Sequence, residues 1–153
     1  MQAMAAERPA IATNECSNRH LLLMKIVQIE FESGEAEQLL RLLNSEWNDL
    51  SVFEKCRSGL PIPRPIAVLH EGRVIGGASF TSFLEPDGND EVIWLNALYV
   101  LPEFRGKGIA SKLVDLAVSV SPMLYALTDI PQLYTKQGWK VKKEVENGTV
   151  VTT

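Results

Sequence analysis

From Lys25 the stretch KIVQIEF alternates apolar and polar positions and is rich in branched side chains, which predicts a first strand. After Ser33, a residue suited to capping a helix, the period changes. Leu39, Leu43, Trp47 and Leu50 recur at helical spacing, and Glu35 and Glu37 fall in a first turn whose dipole favours anions. The pattern predicts a helix to about Asn48 and a second, short one around Ser51 to Arg57, ended by Gly59 and the cluster Pro61, Pro63, Pro65. Two apolar runs, IAVLH and VIGGASF, flank the connection EGR and predict an antiparallel hairpin. The loop EPDGND is dense in turn residues, and EVIWLNALYV after it is apolar almost throughout, as a buried strand is. From Lys107 to about Val120, Ile109, Leu113, Leu116, Ala117 and Val120 make one helical face that ends at Ser121-Pro122. MLYAL reads as another buried strand. PQLYTKQ reads as a short helix opened by Pro131 and closed by Gly138, and WKVKKEV and TVVTT as a last hairpin joined by ENG.

The predicted order is strand, two helices, antiparallel hairpin, strand, helix, strand, helix, hairpin. This is a mixed α/β (α+β) domain with a central, mostly antiparallel sheet flanked by helices. One unit stands apart: strand 92–101, helix 107–120 and strand 123–127 form a right-handed parallel crossover. No repeat of solenoid or propeller period occurs.

At 153 residues the chain suits one domain, expected over 24–153. Residues 1–23 are expected as a flexible extension, or as sequence upstream of the natural start; their longest apolar run, LLLM, is too short for a signal-peptide core or a membrane span. A net charge of -4 removes the attraction on which nucleic-acid affinity rests, so neither nucleic acid nor membrane is expected as a partner. Cys16 and Cys56 stand at no metal-ligand spacing and are expected as reduced thiols of a cytoplasmic protein. No metal is expected.

The densest chemistry is FRGKGIAS, residues 104–111, at the strand-to-helix junction of the crossover. A helix start exposes N–H groups without intrahelical partners and carries partial positive charge. Gly106 and Gly108 allow close backbone approach, and Arg105 and Lys107 add full charge, which suits a phosphate. A nucleoside-triphosphate P-loop fails, because Leu101 stands where its first glycine belongs and Gly108 follows Gly106-Lys107. A dinucleotide fingerprint is nearly met by Gly106-x-Gly108-x-x-Ser111 with Asp129 further on, but that fold stacks several parallel units and only one is predicted.

Arg105-Gly106-Lys107-Gly108-Ile109-Ala110 resembles the R/Q-x-x-G-x-G/A signature of the GCN5-related N-acetyltransferases, with alanine last. LNALYVLPEFRGKGIASKLVDLA is similar to that family's strand, turn and helix, and LYTKQGW resembles its later Tyr-x-x-x-Gly-aromatic segment. The resemblance implies the acyl-coenzyme A N-acyltransferase fold, with the parallel strand pair splayed apart. It implies acetyl transfer from acetyl-coenzyme A to a primary amine by direct attack in a ternary complex. The pyrophosphate would be bound by Arg105, Gly106, Lys107, Gly108, Ile109 and Ala110, with Ser111 at the helix start. The backbones of Leu98, Tyr99 and Val100 would pair with the pantetheine arm, and an N–H near Leu98 would polarise the thioester carbonyl. Tyr134 stands where the family often places the general acid for the departing thiolate.

The chain departs from the resemblance in two places: the Asn that often precedes the tyrosine helix in relatives is replaced near Leu127 by an apolar residue, and the expected base is missing. Where many relatives carry a glutamate base, four residues before Leu98, it has Trp94. Asn96, placed by strand alternation on the face of Trp94 and Leu98, can orient an amine or a water but not deprotonate it. Asp90, Glu91 and His70 are the other candidates, by proximity. The resemblance puts the acceptor, a small-molecule or peptide amine, against a wall that would hold Glu46, Asp49 and Glu54 beside Trp47 and Phe53. Two rival readings remain: a non-catalytic acyl-coenzyme A module that has lost its base, and a dinucleotide-binding domain. A homodimer through the C-terminal hairpin is the expected assembly, if there is one.

Overall fold

The computed structural model describes residues 23–47 and 53–153. In chain order the elements are β1 (Met24–Gln28), α1 (Gly34–Trp47), β2 (Cys56–Arg57), β3 (Leu60–Pro61), β4 (Ile66–His70), β5 (Arg73–Leu84) and β6 (Glu91–Val100). A 3₁₀ turn (Pro102–Phe104) leads into α2 (Ile109–Val120), then β7 (Tyr125–Thr128), α3 (Pro131–Thr135), β8 (Lys140–Val145) and β9 (Gly148–Thr152). Seven strands form one sheet in the order β1-β4-β5-β6-β7-β9-β8, antiparallel throughout except between β6 and β7. The mixed α+β sheet with one parallel pair is as the period changes in the sequence predict. The expected N-terminal extension lies, apart from Leu23, outside the described residues, as do Cys16, Asp49 and Leu50.

Ser33 caps α1, its Oγ accepting from the Ala36 N–H at 3.1 Å. The helix buries Ala36, Leu39 and Leu43 on one sheet face, with Ala67, Val74, Ala97 and Tyr99. Complete burial of Leu39 and Leu43 stabilises this packing by roughly 1.5–3 kcal/mol each. The approach is close because β5 carries glycine there: a Cβ on Gly77 would lie 2.3 Å from the Ile66 carbonyl oxygen and 2.6 Å from Leu39 Cδ1. The larger core lies on the other face, where Leu95, Leu98 and Val100 of β6 and Ala126 of β7 meet Ile109, Leu113 and Val114 of α2 and Tyr134 of α3.

Two expectations are corrected. No helix occupies the described part of 51–57; Cys56–Arg57 and Leu60–Pro61 instead form a small hairpin. Ser58 and Gly59, at φ 53° and 79°, supply the two left-handed positions that a tight two-residue connection demands. The second correction concerns β6. Ser79 pairs with Ala97 and Phe80 with Leu95, so Asn96 is an extra residue, a bulge that interrupts alternation. Leu95 and Leu98 therefore share the larger core, and Asn96 lies on the face of Trp94 but not on that of Leu98.

Candidate active site

β6 and β7 are in parallel register at a single pair, Trp94↔Tyr125. Trp94 is buried there, its ring centroid 5.4 Å from that of Tyr125 and its Nε1–H donating to the Leu84 carbonyl at 3.2 Å. Past this point β7 is paired with β9 and β6 with β5, and the facing edges of the two strands part. A V-shaped opening results, pointing toward the strands' C-terminal ends.

The backbone of β6 decides what lines that opening. The Leu101 N–H donates to the Ile75 carbonyl at 2.9 Å, and bonding alternates along an antiparallel ladder. The polar groups of Tyr99 therefore point at Gly77 on β5, whereas those of Leu98 and Val100 point into the V. Of the three residues expected to meet a ligand through their backbones, Leu98 and Val100 turn their polar groups away from β5, and Tyr99 turns its own toward β5. The Val100 carbonyl is already held, accepting from Arg105 Nε at 2.7 Å. The Arg105 guanidinium also lies 5.2 Å from the centroid of the Tyr99 ring, whose edge meets Trp47. This arginine fastens the end of β6 to the turn.

At the mouth of the V the glycine turn enters α2. Gly106 and Gly108 both have left-handed φ, 78° and 76°, and Gly108 is the helix N-cap. A Cβ built on Gly108 meets nothing within 4 Å, so open space lies over the helix start. The first-turn N–H groups of Ile109, Ala110 and Ser111 have no acceptor within the helix. Lys107 sits with Nζ 5.7 Å from the Phe104 ring centroid. Two cationic side chains, a helix N-terminus and uncrowded backbone thus come together at this turn.

Tyr134 is wholly buried, and its hydroxyl has no hydrogen-bond partner. Burial first, and the Asp129 charge second, push its pKa far above the usual value for a phenol, so it is a donor at any ordinary pH. It shares the larger core with Leu98 and Ala126, side chains of the two diverging strands. Trp139 packs edge-on against it with ring centroids 5.0 Å apart, and its Nε1 is likewise buried without a partner. Asn96 is bonded through Oδ1 to the Ser79 hydroxyl at 2.8 Å.

The other sequence candidates are dispersed. Asp90 and Glu91 lie at the start of β6, the end opposite Val100, and the His70 ring packs on Phe104 at 5.1 Å between centroids. Trp47 and Phe53 pack on the smaller core, Glu54 faces Arg57 at 4.0 Å, and Glu46 is exposed. Sequence reasoning did not anticipate a cavity at the β5–β6 turn. There Phe83, Leu84, Glu85 and Gly88 line a cavity of about 290 Å³ together with Trp94, Lys143 and Val150. The signal was present in FLEPDG, an apolar pair running into a turn with no helix near to cover it. Among the described residues no cluster of His, Cys, Asp and Glu could hold a metal, and no helix is long and apolar enough to cross a membrane.

Known structures of the same architecture include Arabidopsis thaliana Naa50 in complex with the bisubstrate analogue CoA-Ac-MVNAL, at TM-score 0.59 and 15% identity over 86% of this chain and 98% of that one. The putative acetyltransferase yncA from Salmonella typhimurium, with its cofactor acetyl-CoA, superposes at TM-score 0.58 and 17% identity over 85% of this chain and 92% of its own. N-acetylglutamate synthase from Neisseria gonorrhoeae, complexed with coenzyme A and N-acetyl-glutamate, gives TM-score 0.56 and 16% identity over 84% of this chain. The present chain spans only 34% of that synthase. No curated protein matches the sequence significantly. The profile described as "Acetyltransferase (GNAT) family" matches residues 23–124, which take in the splayed strand β6, the glycine turn and all of α2. By that match, and with a fold shared with these structures, the chain belongs to the Acetyltransferase (GNAT) family.

Proposed function

We propose that the protein transfers the acetyl group of acetyl-coenzyme A to a primary amine by direct attack within a ternary complex. The observation that carries this reading is the joint placement of the V and the glycine turn. An elongated donor can run its thioester end between β6 and β7 while its pyrophosphate rests on α2. The site's features fit such a donor: the open space at Gly108, the outward groups of Leu98 and Val100, and the orphaned hydroxyl of Tyr134. The donor supplies an activated acyl group, and the rest is done by the chain. Arg105, Lys107 and the N–H groups of residues 108–111 hold the pyrophosphate. The Leu98 N–H donates to the thioester carbonyl oxygen, favouring negative charge as it develops there. Tyr134, kept protonated by burial, donates to the departing sulfur, and the proton that the nitrogen sheds as the amide forms restores it by way of water. Asn96, held by Ser79, orients a water or the amine at the bulge. Trp94 takes no proton, so the amine must arrive neutral or lose its proton to water.

That tryptophan favours one other reading, a module that binds the donor without turnover. Coenzyme A affinity with no acetylated product from any amine would establish it. A homodimer through β8 is a weaker reading, because this edge carries Lys140, Lys142 and Lys143 and a register shift between Val141 and Lys143, both of which discourage strand pairing. The test is thermal denaturation with acetyl-coenzyme A, coenzyme A and NADH. A ligand at about a hundred times its Kd stabilises the native state by about 2.7 kcal/mol. Shifts with both coenzyme A species and none with NADH are expected; a shift with NADH alone would replace this reading with dinucleotide binding.

A further inference from the structure

The backbone of Tyr99 is spent on Gly77 of β5, so any part this residue has at the glycine turn belongs to its side chain. The ring is buried in the smaller core, 7% exposed, and packs T-shaped against Trp47 at the end of α1 with centroids 6.3 Å apart. The half-buried Arg105 guanidinium lies over it, 5.2 Å from the centroid. Arg105 is held a second time by its Nε–H, which donates to the Val100 carbonyl at 2.7 Å. One edge of the guanidinium is thus anchored and one side of it covered, while its terminal N–H groups meet no acceptor among the described residues. Nor does any carboxylate of the described residues lie within ion-pair distance of it. Lys107 differs: its Nζ lies 5.7 Å from the Phe104 ring, with no hydrogen bond among the described residues to anchor it. Of the two cations at the turn, Arg105 is the one held in place, and its charge is unmatched.

We propose that Tyr99 is a positioning residue for the donor: its ring holds the Arg105 guanidinium so that the terminal N–H groups are presented to a phosphate on the turn. The proposal rests on the acetyl-transfer reading only in taking the donor's pyrophosphate as that anion. An arginine free in solvent gives up most of its rotamer freedom when it binds, and one already fastened does not. The ring also keeps water from one side of the cation, so an anion on the other side is screened less. What the arginine needs is the aromatic face, which phenylalanine supplies as well as tyrosine. Leucine fills part of the same space without a face. Lysine in place of Arg105 keeps the charge but has no planar fork to be anchored at one edge and offered at the other.

The test is calorimetric titration of coenzyme A into the parent, Tyr99→Leu, Tyr99→Phe, Arg105→Ala and the double variant Tyr99→Leu with Arg105→Ala, with circular dichroism to confirm folding. Tyr99→Leu is expected to weaken binding roughly 3- to 10-fold, the loss of a cation–π contact together with the freedom the arginine regains. Tyr99→Phe, which restores the face, is expected to recover most of that loss. In the Arg105→Ala background Tyr99→Leu is expected to cost nothing further, because the ring then has no cation to hold. A merely structural role would lower affinity equally with and without the arginine. Should Tyr99→Leu not fold, Arg105→Lys decides: a loss of several-fold is expected, and affinity equal to the parent's would overturn the proposal. Equal losses in the two backgrounds, parent-like affinity of Tyr99→Leu, or no recovery in Tyr99→Phe would also overturn it, and would leave the acetyl-transfer reading standing. Absence of coenzyme A binding by the parent itself would overturn both.

Discussion

Replacing Gly108 by alanine separates the fold from the ligand. At φ 76° and ψ 13° the residue is in the left-handed region, where an L side chain costs about 1–2 kcal/mol. Nothing lies within 4 Å of the added Cβ, so no clash adds to that strain. Urea denaturation should accordingly show a folded protein destabilised by about 1–2 kcal/mol. Coenzyme A affinity should fall much further. The methyl occupies the open space over the helix start, and loss of even one charge-assisted bond to the pyrophosphate lowers affinity roughly 10- to 100-fold. Gly108→Asn, which tolerates the left-handed region better, should recover most of the stability but none of the affinity. Calorimetric titration of coenzyme A into the three proteins reads the outcome. If the folded alanine variant bound coenzyme A within about twofold of the parent, a difference under half a kcal/mol, the phosphate would not sit on this turn.

Tyr134→Phe should lower kcat by about a hundredfold with the donor KM little changed, since the hydroxyl serves the departing sulfur. The same variant bears on alkaline stability. The unfolded chain loses the Tyr134 proton near pH 10 while burial keeps it on the native chain, so native stability falls by up to about 1.4 kcal/mol per pH unit above 10. Chemical denaturation between about pH 9 and 11 should show a shallower decline for Tyr134→Phe, and parallel curves would mean that the hydroxyl is hydrated. Gly77→Ala should cost at least about 1–3 kcal/mol in urea denaturation, because its Cβ meets a backbone carbonyl that cannot yield; an unchanged midpoint would place α1 farther from β5. Arg105→Ala should raise the donor KM by about tenfold at unchanged kcat, whereas a fall in kcat alone would put the arginine's role at the thioester end.

Much of this was legible in the sequence because hydrophobic period and turn chemistry are local. Ser33 and the apolar runs of β4, β5 and β6 each point to one element, and the glycines of 106–108 announce the helix start they form. What was not legible depends on pairing. The bulge at Asn96 exists only as a mismatch between β5 and β6, so alternation along β6 alone puts Asn96 on Leu98's face. The same ladder decides that Leu98 and Val100, and not Tyr99, address the V. Ser58-Gly59 was read as the end of a helix because the two-residue strands it joins are too short to show a period. The β5–β6 cavity needs Lys143, which lies far along the chain from Asp87 and is brought to it only by the curl of the sheet.

The central claim is that the V between β6 and β7 delivers an acetyl group to an amine. The most direct measurement is mass spectrometry of the products when the protein is given acetyl-coenzyme A, isotopically labelled in its acetyl group, and a panel of primary amines. The account predicts labelled N-acetyl amine and free coenzyme A in equal amounts, at a rate that saturates in both substrates. Bound donor with no labelled amide from any amine of the panel would contradict it and leave a cofactor-binding module in place of an enzyme.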